Sequence, residues 1–288
     1  MSTLDLSLVP VPDAIKPLSV EQVIARMKSD FLRDNPEFAS AIELESDPVV
    51  ALINQFAYRE SLIRAECNEM VRSMTLAHAR GVNLDALASN YNVTRLLIRA
   101  ADLVAKTTAV YESDDALRER CLLAFASMST AGSAAAYRYY ALSADPDVVD
   151  VKARSPESGK VDVIVMSIDG EASSESLSAV RSALSGEENI PLDDEVTVLS
   201  VEAEVYSVAA VVKHGYGLNT AAHRAAFIEQ IRSLSKIGVS VPISELYAQL
   251  HTANVTKVDL LEPAADIAVD DYHFARADTI EIEYELVA

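Results

Sequence analysis

The 288-residue chain contains no apolar run approaching the ~20 residues that a membrane span needs. It also lacks a secretory leader pattern: Asp5, Pro10, Pro12 and Asp13 stand where an apolar core would be, and no basic segment precedes them. Cationic residues are scarce. Residues 1–130 hold 13 Lys and Arg against 18 Asp and Glu, and residues 131–288 hold 11 against 26. A cationic face for nucleic acid, or for an anionic membrane surface, is therefore not expected. The excess acid reads as a solvated, solubilising surface. The two cysteines, Cys67 and Cys121, each fall inside a predicted helix among apolar neighbours. A reduced cytoplasmic protein is expected rather than a disulfide framework.

Catalytic patterns are missing as well. There is no G-x-S-x-G elbow, no G-x-x-x-x-G-K-[ST] loop and no H-E-x-x-H helix. The histidines, His78, His214, His223, His251 and His273, are scattered, and none lies four residues from another. A zinc site from His214 and His223 would need ligands that the spacing does not supply. Asp145, Asp147 and Asp150 crowd one turn, and Asp266, Asp270 and Asp271 crowd another, without the glycine and bidentate Glu of a calcium loop. Tyr137, Tyr139 and Tyr140 read as core or interface in preference to a stacking platform for a ligand. Arg95 and Arg99 could clamp an acidic partner or pair with Asp85 or Asp102, and both readings stay open. No catalytic activity, cofactor or metal is expected.

What is present is patterning. Half of the residues are hydrophobic, enough for two or three cores in a chain of this length. Residues 1–18, with Pro10, Pro12 and Pro17, form an extended arm that is either a free tail or ordered on a partner. Ser19 and Gln22 make a capping box for a helix bearing Val20, Val23, Ile24, Met27 and Phe31 on one face. Asp47-Pro48 starts a helix that nothing interrupts before Arg80, about 33 residues and roughly 50 Å long. Its apolar stripe runs Val49, Leu52, Ile53, Phe56, Ile63, Cys67, Met70, Met74 and Ala77. Gly81 fits the left-handed position that ends a helix, and Asn83 is placed as the cap of the next one.

Past Pro146 the period changes from helical to alternating. Val149, Val151, Ala153 and Val161, Val163, Val165 predict a hairpin around Pro156-Glu157-Ser158-Gly159. A helix capped by Ser173 or Ser174 follows, then one long β-type run from Glu195 to Lys213. After Gly215-Tyr216-Gly217, helices from Asn219 or Thr220 and from Pro242 precede two strands, Val255–Leu260 and Ile280–Tyr284, joined by an acidic loop, 262–278. The fold class is α+β: a long-helix region, then two small α+β domains with mainly antiparallel sheets. The expected division is an arm at 1–18, a helical bundle-forming region at 19–130, and α+β domains at 131–214 and 215–288.

Several segments occur in a telling order. They are the long helix into Gly81-Val82-Asn83-Leu84-Asp85, the segment Thr130-Ala131-Gly132-Ser133, the hairpin with its Ser155-Pro156-Glu157-Ser158-Gly159 turn, and Leu192-Asp193-Asp194-Glu195-Val196-Thr197-Val198. In this order the chain, from about Asp47 to Val287, resembles the baseplate J-like family of contractile phage tails, its P2-type members in particular. The separation of Pro156 from Gly159 departs from the family's turn. The resemblance implies a non-catalytic structural wedge protein of the virion tail, assembled in the host cytoplasm. Its long helices would join those of other wedge proteins and of a second copy, two per wedge, in a core bundle. Its α+β domains would link wedges into a ring around the central hub. The partner seam would then be Leu52, Ile53, Phe56, Ile63, Met70 and Met74, with an intramolecular core as the competing reading. A scaffold of a related contractile injection or type VI secretion baseplate is the alternative function.

Overall fold

A computed structural model describes residues 6–102, 105–127, 133–186, 191 and 194–287. The protein is α+β and divides into two compact units, Met1–Arg95 with Ser113–Arg118, and Leu96–Glu112 with Glu119–Ala288.

The first unit is helical. Helix α1 (Val20–Asp34) begins at the expected capping box: Ser19 Oγ accepts the Gln22 N–H at 3.2 Å, and Gln22 Oε1 accepts the Ser19 N–H at 3.1 Å. A short α2 (Ala39–Ile42) leads to α3 (Pro48–Ser73), capped by Asp47, whose carboxylate takes the Val49 N–H at 2.8 Å. Helix α3 is 26 residues long, so it stops well short of Arg80. Beyond that end the chain is held from far away in sequence. Arg118 donates to the carbonyls of Leu76 at 2.8 Å and Ala79 at 2.9 Å, which would otherwise be helical acceptors or orphans. Ser73 and Thr75 hydroxyls also bond back to Met70 and Arg72 carbonyls, a competition that weakens a helix end. Helix α4 (Gly81–Ala88) follows. Gly81 does hold a left-handed φ of 52°, but Asn83 is not the cap; the Gly81 N–H is taken by Asp114 at 3.1 Å.

The second unit opens with a two-stranded ribbon, β1 (Leu97–Arg99) and β2 (Val110–Tyr111), tied by Glu112, which accepts the Leu96 N–H and pairs with Arg120. Helix α5 (Asp114–Ser127) begins in the first unit and continues in the second. Helix α6 (Ala134–Ala144) is capped by Ser133, as expected; the three residues before it lie outside the described residues. Strands β3 (Val148–Arg154) and β4 (Lys160–Ser167) form the predicted hairpin, with a short β5 (Gly170–Glu171) against β4. Helix α7 (Ser174–Leu184), capped by Ser173, covers this sheet, and its core joins Tyr137, Ala141, Val151, Val163, Val165, Val180 and Leu184.

The expected single run from Glu195 to Lys213 is two strands. β6 (Glu195–Ser200) pairs parallel with β4, and β7 (Glu202–His214) crosses into a second sheet. Val201, fully buried, marks the switch, so β7 pairs within the second sheet rather than with the 131–200 strands. Helices α8 (Thr220–Leu234, capped by Asn219) and α9 (Ile243–Leu250) follow. β8 (Val255–Glu262) lies antiparallel to β7, and β9 (His273–Leu286) parallel to it. Tyr206, Val208, Ala210 and Val212 alternate inward to meet Phe227, Ile231, Leu246 and Leu250.

A third cluster, Ile164, Met166, Val201, Ile237 and Phe274, fastens the two sheets together. Around it, the buried Asp150 accepts the Ile237 N–H at 3.0 Å and pairs with Arg138 at 2.8 Å. Lys152 and Arg154 reach Asp271 at 2.7 and 3.2 Å, and Tyr272 donates its hydroxyl to Asp162 at 2.7 Å. Gly170 (φ 105°) lets Phe274 approach; a Cβ there would sit 2.9 Å from the ring.

Candidate partner interface

Helix α3 carries two apolar faces. Val50, Ile53, Ala57 and Asn68 are buried, and α1, whose Val23 is fully buried, packs along this helix. Stepping 100° per residue, Leu52, Phe56, Ile63, Met70 and Met74 fall within about 40° of one line on a different side. All five are exposed, Phe56 at 61% and Ile63 at 59%. The line runs for roughly 33 Å. Full burial of one such side chain is worth about 1.5–3 kcal/mol, so leaving five of them exposed, interrupted by Arg59 and Glu66, is the feature of this helix that its own fold does not use. Of the six residues expected at the seam, five make up this row. Ile53, at 8%, belongs to the covered face instead.

The covered face also holds the arm. The Ile15 N–H donates to Asn68 Oδ1 at 2.9 Å, and Asn68 Nδ2 donates to the Ile15 carbonyl at 2.8 Å, a two-way bond like that between strands. Arg72 pairs with Asp13 at 3.0 Å, and Arg64 reaches the Lys16 carbonyl at 3.4 Å. Residues 13–16 of the arm thus lie on a helix of their own chain. Nothing in the sequence announces this latch, because Asn68 stands among Arg64, Glu66, Glu69 and Arg72 and reads as a solvated position.

The remaining polar groups serve the fold. Arg95 bonds Asp85 and Asp114, both at 2.7 Å, while Arg99 stands on β1 and not one helical turn away. His223 is a core histidine: Nδ1 meets the Tyr284 hydroxyl and Nε2 the Leu250 carbonyl, each at 3.0 Å, so neither nitrogen is open to a metal. Among the described residues no group of three or more His, Cys, Asp or Glu side chains converges. Tyr137 donates to Asp194 at 2.6 Å, and burial together with that carboxylate pushes its hydroxyl pKa upward, away from any acid–base role. Tyr139 and Tyr140 pack edge to face. Asp145 caps its own turn, Asp266 takes the Ile243 N–H at the start of α9, and Asp270 bonds His273 and the Tyr272 N–H. Cys67 and Cys121 are unbridged.

Comparison with known proteins points to assembly. Residues 45–102 match the baseplate J-like N-terminal domain, and residues 129–200 match the baseplate J-like central domain. Over 283 aligned residues the chain is 37% identical to "Baseplate protein J" of Escherichia phage P2, covering 94% of each chain. The exposed row on α3 lies within the first matched segment. The chain is a member of the baseplate J-like family.

Proposed function

We propose that this protein is a structural wedge subunit of a contractile tail baseplate, located in the virion, and that it has no catalytic role. Its α3 row packs against helices of other wedge proteins and of a second copy. Its α+β part links neighbouring wedges into the ring around the hub. The observation that carries the reading is an uncovered apolar row, roughly 33 Å long, on a helix whose other side is already filled by α1 and the arm. The name of the phage P2 relative supports placing it in a baseplate. On this reading the ring opens by repacking subunit interfaces, which suits the polar, charged surface of the α+β part.

Light scattering tests it, on the chain alone and co-expressed with the proteins of its neighbouring tail genes. A stoichiometric complex containing more than one copy, lost in Phe56→Glu/Ile63→Glu, is the expected result. A monomer that ignores every neighbour overturns the proposal.

A further inference from the structure

The ribbon of β1 and β2 is uncovered on both sides. Leu97 stands opposite Tyr111, the two being 46% and 53% exposed, and Ile98, on the other face, is 41% exposed. A lone two-stranded ribbon is marginal in water and gains stability from a third strand or a packed helix. This one is held at its base by polar bonds, Glu112 accepting the Leu96 N–H at 2.9 Å and pairing with Arg120 at 2.9 Å. Its charge also runs against the rest of the molecule. Residues 97–111 carry Arg99 and Lys106 against Asp102, in a chain of net charge -20. Among the described residues neither Arg99 nor Lys106 joins an ion pair; those nearby use Arg95 and Arg120.

An edge of matching character lies on the same chain. Among the described residues β9 pairs only with β7, so it borders its sheet. The Val287 N–H turns inward to the His214 carbonyl, so by alternation Ile282 and Tyr284 direct their backbone groups outward. Side chains alternate too: Glu281 and Glu283 stand on the open face, and Ile280 and Ile282 on the face that packs on the core. The acid guards this edge against an acidic strand such as a second β9, because like charges side by side repel. A cationic strand is not turned away. In β1 the same period of two puts Leu97 and Arg99 on one side and Ile98 on the other. We infer that β1 of one copy adds as a further strand to the outer edge of β9 in a second copy. Arg99 then neutralises Glu281 and Glu283, and Ile98 extends the row of Ile280 and Ile282. The contact is head-to-tail, so it passes from copy to copy and either closes into a ring or extends as a filament. It rests on the reading of the α+β part as the link between neighbouring wedges, and it names the two surfaces that join.

The test is sedimentation velocity of the full chain carrying Phe56→Glu/Ile63→Glu, which silences the α3 row. The average mass should rise with concentration and pass that of a dimer. Adding Arg99→Glu, or adding Glu281→Gln/Glu283→Gln, should weaken this association by about ten-fold or more. An equimolar mixture of those two variants should form one-to-one dimers and nothing larger, because one supplies only the edge and the other only the ribbon. The mixture also shows that each variant is folded, since each must present its intact surface. A chain that stays monomeric up to about 1 mM overturns the inference. So does a mass that stops at the dimer, association unchanged in either variant, or a mixture that gives no dimer or grows beyond it. With the α3 row silenced, this outcome is separate from wedge assembly: copies that associate without any wedge complex keep this contact and sink the wedge reading, and a wedge complex whose copies do not associate in this way does the reverse.

Discussion

Two side chains show how much a single residue carries. Asn68 is buried and spends both ends of its amide on the Ile15 backbone. Asn68→Ala strands a donor and an acceptor, and the expected cost is about 1–3 kcal/mol, read as a lower urea midpoint and new protease cleavage within residues 9–18. Asp114 links helix starts, taking the Gly81 N–H and the Arg95 guanidinium. Burial raises its pKa, but the Gly81 N–H and Arg95 outweigh that and hold it below the usual 3.8. A carboxyl depressed in the folded state stabilises above its unfolded pKa and loses that contribution as pH falls through the folded value. Asp114→Asn should therefore lower thermal stability at pH 7 by about 1 kcal/mol after solvent screening. The gap to the wild type should begin to close as the pH drops below about 3.8 and vanish below the lower folded-state value.

At the scale of elements, α3 separates what its two faces do. Ile53→Ala, on the covered face, should cost about 2–5 kcal/mol by cavity formation. Phe56→Glu/Ile63→Glu, on the open face, should leave the monomer's denaturation midpoint nearly unchanged, because exposed positions rarely shift stability by more than about 0.5 kcal/mol each. Chemical denaturation monitored by circular dichroism distinguishes the two. The caps at Ser19, Asp47, Ser133, Ser173 and Asn219 were legible in the sequence because a cap is a local bond, two or three residues long. So was the 148–167 hairpin, through its alternating valines. The two faces of α3 were not, since periodicity shows that apolar residues recur but not which of them another element covers. That is why Ile53 was grouped with the open row. Past the helix end at Ser73 the chain is held by Arg118, 42 residues from Leu76. The break at Val201 has no turn residue to announce it: a continuous valine-rich run changes sheets while staying buried.

On the scale of the whole molecule, the two sheets of the second unit share a buried junction. Asp150 is its polar pin, bonded to Arg138 on one side and to the Ile237 N–H on the other. Asp150→Ala leaves Arg138 without that partner and should cost about 3 kcal/mol. It should also split one urea transition into two, as followed by hydrogen exchange in β4 and in β9; a single transition at the wild-type midpoint would contradict the pinned arrangement. Sheet order has a further consequence, for the timing of synthesis. β7 is the central strand of its sheet, yet its partner β9 begins at His273, roughly 60 residues after β7 ends at His214. At about 5–20 residues per second, a ribosome takes some 3–12 s to make that stretch. For those seconds a valine-rich strand leaves the tunnel with an unfilled edge, so β7 is where a nascent chain of this protein is most exposed to aggregation and to chaperone capture.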